Sequence, residues 1–160
     1  RNTASDRIFD NIGVGSLNYQ SEHARTYLAN VEAYLLFPKS IGVATLAEIH
    51  ESLYMPYYDN SDNTTQIKSA HGFSYHNGPE WVWLYGFYVA AKVLYDSSNS
   101  TKEQLMGLLQ EHNNYINNDE WCSLPEMTDK NGEFNRFSCP AQAWSISSLL
   151  MAWNVINEMP

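Results

Sequence analysis

The sequence predicts an all-α fold. Apolar residues recur at helical spacing in several stretches, and proline, glycine and Ser/Thr capping pairs punctuate those stretches. No apolar–polar alternation lasts beyond four residues, so no long half-buried strand is expected. The pattern predicts four long helices, one short helix and two long loops.

The first helix runs from Glu22 to about Phe37, with Ser21 as its cap. Tyr27, Val31, Tyr34 and Leu35 make its apolar stripe, and Pro38 ends it. Thr45 and Glu48 have the spacing of a capping box and predict a short helix with Leu46, Ile49 and Leu53 inward, closed by Pro56. Residues 57–78 are rich in Tyr, Asn, Asp, Ser and Gly and read as a long loop. Gly78-Pro79 then opens the most apolar helix, which runs to about Asp96 and is expected to be deeply buried. A capping box at Ser100 and Glu103 starts the next, which reaches Asn117 with Leu105, Leu108, Leu109 and His112 on one face. After a second loop, 118–138, Pro140 opens the last helix, with Ala143, Ile146, Leu149, Leu150, Trp153 and Ile156 along one side. Residues 1–160 read as one segment, within which residues 1–20 fit no element. Its opening on Arg1 reads as an excerpt of a longer polypeptide.

Composition narrows the function. Eighteen acidic residues against nine basic leave a net charge of −9, which disfavours a nucleic-acid or anionic-membrane partner but is indifferent to a neutral glycan. No apolar run approaches the ~20 residues of a membrane span, and residues 1–20 lack the apolar centre of a signal peptide. Five Trp and eleven Tyr permit stacking on sugar faces, although an aromatic core accounts for them equally. Cys122 and Cys139 fit no metal spacing and read as free buried thiols, the default of a cytosolic protein.

Two segments concentrate chemistry. The first is Tyr75-His76-Asn77-Gly78-Pro79-Glu80-Trp81-Val82-Trp83. His76 and Asn77 can bond sugar hydroxyls, Trp81 and Trp83 offer flat faces, and Glu80 adds a carboxylate. The structural alternative is a helix start, with Asn77 or Gly78 as cap and Glu80 favoured by the helix dipole. His71, His76 and Glu80 match no zinc spacing, so neither a metal nor a cofactor is expected. The second segment runs from Asn118 to Glu133. Within it Glu126 is flanked by Leu124, Pro125 and Met127, a carboxylate among apolar neighbours and thus a candidate general base. A solvated acidic loop is the plainer alternative. Asp129 and Glu133, around the turn-like Asp129-Lys130-Asn131-Gly132, look more solvated.

The same strings resemble the glucosidase region of eukaryotic glycogen debranching enzymes. Residues 75–83 resemble that family's His-x-Gly-Pro-Glu-Trp segment, and Leu124-Pro125-Glu126-Met127-Thr128 its Leu-Pro-Glu-Leu-Thr. Ser138-Cys139-Pro140-Ala141-Gln142-Ala143-Trp144-Ser145 resembles its Ser-Cys-x-x-Gln-Ala-Trp-Ser, and Tyr58-Asp59-Asn60 has a counterpart in similar order. Ser123 and Met127 depart mildly, standing where the family has Gly and Leu.

The resemblance, over roughly residues 22–157, implies the C-terminal portion of an (α/α)6 toroid. It implies an amylo-α-1,6-glucosidase that hydrolyses α-1,6-linked glucose on glycogen or limit dextrin with inversion. Glu126 then corresponds to the general base, and His76, Asn77, Trp81, Trp83 and Glu80 surround the substrate. The family's general acid lies upstream and has no counterpart here, so the remainder of a longer chain is the expected partner. The rival is a catalytically inactive glycan-binding or structural module with a partial toroid fold.

Overall fold

The computed structural model describes residues 22–50, 52–96 and 99–159. They are mostly helical, as expected for an all-α segment and consistent with part of a helical toroid. The helices are α1 (Glu22–Tyr34), α2 (Val82–Asp96), α3 (Lys102–Gly107), α4 (Gln110–Asn118) and α5 (Ala143–Asn157). Three two-residue strands, β1 (Val43–Ala44), β2 (Glu80–Trp81) and β3 (Met127–Thr128), form a small antiparallel sheet in the order β1-β2-β3. In register, Ala44 faces Glu80 and Glu80 faces Thr128, while Val43, Trp81 and Met127 align one step along.

The long helices α2 and α5 make the main helix contact. They meet at Gly86, where an added Cβ would lie 2.2 Å from the Ser148 carbonyl oxygen. So close an approach needs small residues on α5, and Ser145, Ser148 and Ala152 supply them, with Ile156 following on the same buried face. This corrects the predicted face of the last helix. Leu150 is 57% exposed and Trp153 47%. Both instead line an open apolar cavity of about 390 Å³ with Met106, Leu109, Ile116 and Leu149.

Helix α1 is rotated relative to expectation. It buries Ala24 and Leu28, with Val31 and Leu35 packed on the core, and leaves Tyr27 and Tyr34 exposed. Glu32 explains the rotation. It accepts from the Tyr88 hydroxyl at 2.8 Å and pairs with Lys92 at 2.6 Å, so the α1 face that meets α2 includes Glu32. The Ser21 cap lies outside the described residues.

Other boundaries differ for identifiable reasons. Among the described residues no helix forms between Thr45 and Pro56. Its hydroxyl donates to the Pro79 carbonyl and accepts the Gly78 N–H, while Glu48 pairs with Lys130, so the predicted capping box is not made and Ile49 is exposed. Helix α2 starts at Val82 rather than Pro79 because Glu80 and Trp81 are used as the central strand. Its interior is buried as expected. The capping box after residue 99 belongs to Thr101 and Gln104, one place beyond the predicted pair. The single helix predicted there breaks at Leu108 and Leu109, whose N–H groups bond the carbonyls three residues back, just after the helix-weakening Gly107. The last helix begins three residues after Pro140.

His112 of α4 is buried as predicted. Its Nδ1 has no partner among the described residues, while the ring bonds the Ile41 carbonyl and lies 4.5 Å from Tyr85. Burial holds its pKa down at about 4. The unfolded chain, with an ordinary pKa of ~6.5, therefore binds protons more readily than the fold in this window. Stability from this group is present above pH ~6.5 and lost as pH falls through about 4. Relative to His112→Gln, the wild type should lose up to roughly 3 kcal/mol between pH 7 and pH 4, measured by urea unfolding. A pH-independent difference between the two would contradict this account.

Candidate active site

The segment 124–128 runs between the starts of α2 and α5 and is held by hydrogen bonds along its length. The Glu126 N–H donates to the Cys139 carbonyl at 2.9 Å, and its carbonyl accepts the Val82 N–H at 3.1 Å. On either side, Ser145 Oγ donates to the Pro125 carbonyl at 2.7 Å and the Met127 N–H donates to Ser138 Oγ at 3.0 Å. The Glu126 backbone is thus anchored to both helix starts, while its side chain is half-buried.

Adjacent residues of a strand point to opposite faces. Trp81 turns toward the first loop, where a 3-10 segment (Ala70–His76) carries Tyr75 and His76. His76 stacks on Trp81 with ring centroids 5.0 Å apart, and Tyr75 meets Trp81 edge-on at 4.8 Å. The Trp81 indole N–H donates to the Tyr75 carbonyl. The Tyr75 hydroxyl donates to Glu126 Oε1 at 2.5 Å. Trp144, at the start of α5, continues the aromatic group: it lies 6.3 Å from Trp81 and stacks on Trp83 at 5.5 Å.

Glu80 turns the other way and is fully buried. Its Oε1 accepts the Asn131 N–H at 2.8 Å. Its Oε2 accepts the Gly132 N–H and the Thr128 hydroxyl, both at 3.0 Å. The turn can present two successive N–H groups because Asn131 and Gly132 are both left-handed, with φ of 62° and 72°. Burial raises the Glu80 pKa, with the hydrogen bonds pulling the other way.

Of the residues singled out from sequence, Glu126, His76 and Trp81 are brought into one cluster through Tyr75, and Trp83 joins it through Trp144. His76 is exposed, whereas Trp81 is largely covered. Asn77 is half-buried, with its backbone carbonyl bonded to the Met55 N–H. Glu80, without exposed surface, lies away from this cluster and has its carboxylate bonded to the second loop. Asp129 is also less solvated than expected: Oδ1 accepts from the Tyr58 N–H at 3.0 Å and Asn135 Nδ2 at 2.6 Å, tying the two long loops together. Burial raises its pKa.

Sequence reasoning passed over Tyr75 and Trp144, although both stand in the quoted strings. Trp144 sits one residue before the buried Ser145, a place on α5 that is half-exposed and beside Trp83. Among the described residues, no group of three or more His, Cys, Asp or Glu is arranged to hold a metal ion.

Comparison with known proteins adds two findings. The family model described as amylo-alpha-1,6-glucosidase matches residues 12–151, starting inside the stretch that the sequence pattern leaves unassigned. The glycogen debranching enzyme of Saccharomyces cerevisiae is 35% identical over 143 residues, covering 81% of this chain. The chain spans only 9% of that yeast protein's length.

Glu80 generates a prediction. Glu80→Gln turns an amide NH2 toward at least one N–H or O–H donor, which should cost about 1–3 kcal/mol in chemical denaturation. Because the folded pKa is raised, Glu80's contribution is fully present below the unfolded value, ~4.3, and is lost as pH rises through the raised one. The gap between wild type and variant should therefore be widest in acid and narrow toward neutral pH. A gap that widens on raising the pH would contradict the burial argument.

Proposed function

The chain belongs to the amylo-α-1,6-glucosidase family, and we propose that it is the base-bearing segment of an inverting α-1,6-glucosidase, with Glu126 as general base. The observation that carries this reading is the setting of Glu126. It is a half-buried carboxylate with a fixed backbone, beside a cluster of Tyr75, His76 and Trp81, and it precedes the last helix.

The substrate is an α-1,6-linked glucose at a branch stub of glycogen or limit dextrin. Inversion needs a water held by the base on one face of the sugar and an acid on the other, with the two carboxyl groups ~6.5–9.5 Å apart. Glu126 takes the proton of that water as it attacks the anomeric carbon. The acid protonates the departing oxygen. Since this chain corresponds to 9% of the yeast relative's length, the acid is assigned to the remainder of a longer polypeptide. On this reading residues 1–160 form one segment of a glucosidase domain in a cytoplasmic enzyme; Cys122 and Cys139 are free thiols, exposed rather than buried as expected. Among the described residues no helix is long and apolar enough to cross a membrane. His76, Asn77, Trp81 and Trp83 shape the glucose subsite, and Glu80 contributes by holding the neighbouring turn.

A second reading, an inactive glycan-binding or structural module, draws on the internal hydrogen bonds that occupy Glu80 and Asp129. Neither is free to act as the acid. Substitution in the full-length enzyme separates the readings. Glu126→Gln should lower glucose release from limit dextrin by about 10²–10⁴-fold with the fold intact. Activity within a few-fold of wild type would remove Glu126 from the chemistry and favour the module.

A further inference from the structure

A base acting through water must be held in orientation as well as in place. The backbone bonds of Glu126 fix its Cα but leave the side-chain torsions to other contacts. The contact found among the described residues is the Tyr75 hydroxyl on Oε1, and none of them hydrogen-bonds Oε2. From this geometry we infer that Tyr75 is the positioning residue for the base: it holds Oε1 and leaves Oε2 as the atom that accepts the water's proton. The inference rests on the assignment of Glu126 as base.

Tyr75 is suited to the task because its ring is gripped on several sides. Tyr58 lies at 5.1 Å, and His76 and Trp81 both lie at 4.8 Å, each ring inclined to that of Tyr75. Its backbone carbonyl takes the Trp81 indole N–H at 3.1 Å, so ring and main chain are tied to the same tryptophan. Tyr58 is in turn fastened to the base-bearing loop, its N–H on Asp129 and its carbonyl on Asn135. The hydroxyl thus arrives from a rigid aromatic cluster rather than from a flexible side chain.

The direction of the hydrogen bond also holds across pH. Burial first, and then the Glu126 carboxylate, push the phenol's ionisation above its ordinary range. Tyr75 therefore stays protonated and remains a donor. It does not compete with Glu126 for the water's proton. During turnover the proton passes from water to Oε2 while the O–H bond of Tyr75 stays intact.

The test uses the full-length enzyme and α-glucosyl fluoride, whose leaving group needs little acid assistance, so that the base-assisted attack dominates the rate. Tyr75→Phe removes only the hydroxyl. It should lower kcat by about 10–100-fold, the scale of a misplaced catalytic group, while KM moves less than about threefold and the thermal midpoint is nearly unchanged. The double variant Tyr75→Phe/Glu126→Gln should be no slower than Glu126→Gln, because the hydroxyl has nothing left to orient. A Tyr75→Phe enzyme within twofold of wild-type kcat, with Glu126→Gln inactive, would overturn the positioning role and leave the base assignment standing. Losses that multiply in the double variant would overturn it also, showing that Tyr75 acts independently of Glu126. Full activity in Glu126→Gln would instead sink the base assignment itself.

Discussion

Glu80 receives three hydrogen bonds on its buried carboxyl group while its backbone lies between Ala44 and Thr128 at the centre of the small sheet. A carboxylate removed from water is costly unless donors replace the lost hydration. These three donors come from one stretch, 128–132, and the Ser40 side chain adds a further hydrogen bond to the carboxyl group. Glu80 therefore stabilises one arrangement of the second loop relative to the start of α2. Glu126 lies two residues before Thr128, and its carbonyl bonds Val82, two residues after Glu80. The candidate base is thus held by a lattice of short-range links with a buried acid at its centre. Gly132 fits the same scheme, because an added Cβ would lie 2.5 Å from the Lys39 carbonyl. The turn that supplies the N–H groups is packed too tightly for a side chain.

The helices serve as a frame for this loop system. The α2–α5 contact, made close by Gly86 and the small residues of α5, brings together the two helix starts between which 124–128 is stretched. Hydrophobic burial is concentrated where Leu28, Val89, Leu105, Leu109 and Ile156 meet. The aromatic residues divide between two roles. Tyr85 and Tyr88 belong to that core, whereas Tyr75, Trp83 and Trp144 gather at the helix starts around the candidate site.

The helical class was legible because α2 and α5 are long and strongly apolar, and their spans lie close to those expected from sequence. Which side of α5 faces inward was not legible. Periodicity gives two plausible faces, and the choice of the small-residue one depends on the closeness of α2, a tertiary fact. Thr45 and Glu48 illustrate the same limit: the capping-box pattern is present, yet both side chains find long-range partners. The strands, two residues each, are too short for alternation to reveal. Glu126, His76 and Trp81 could be picked out from residue types and motif resemblance. The opposite orientations of Glu80 and Trp81 could not, since they follow from a strand that the sequence pattern reads as a helix start. Tyr75 escaped notice because its importance lies in a partner 51 residues away.

The most direct test of the central claim is a crystal structure of the full-length protein with a glucose-like iminosugar bound. The account predicts the sugar ring beside the His76, Trp81 and Trp144 cluster. It also predicts an ordered water bonded to Glu126 Oε2 below the anomeric position, and a second carboxylate ~6.5–9.5 Å from Glu126 on the far side of the ring. An inhibitor seated away from this cluster, with Glu126 turned from the anomeric centre, would contradict it.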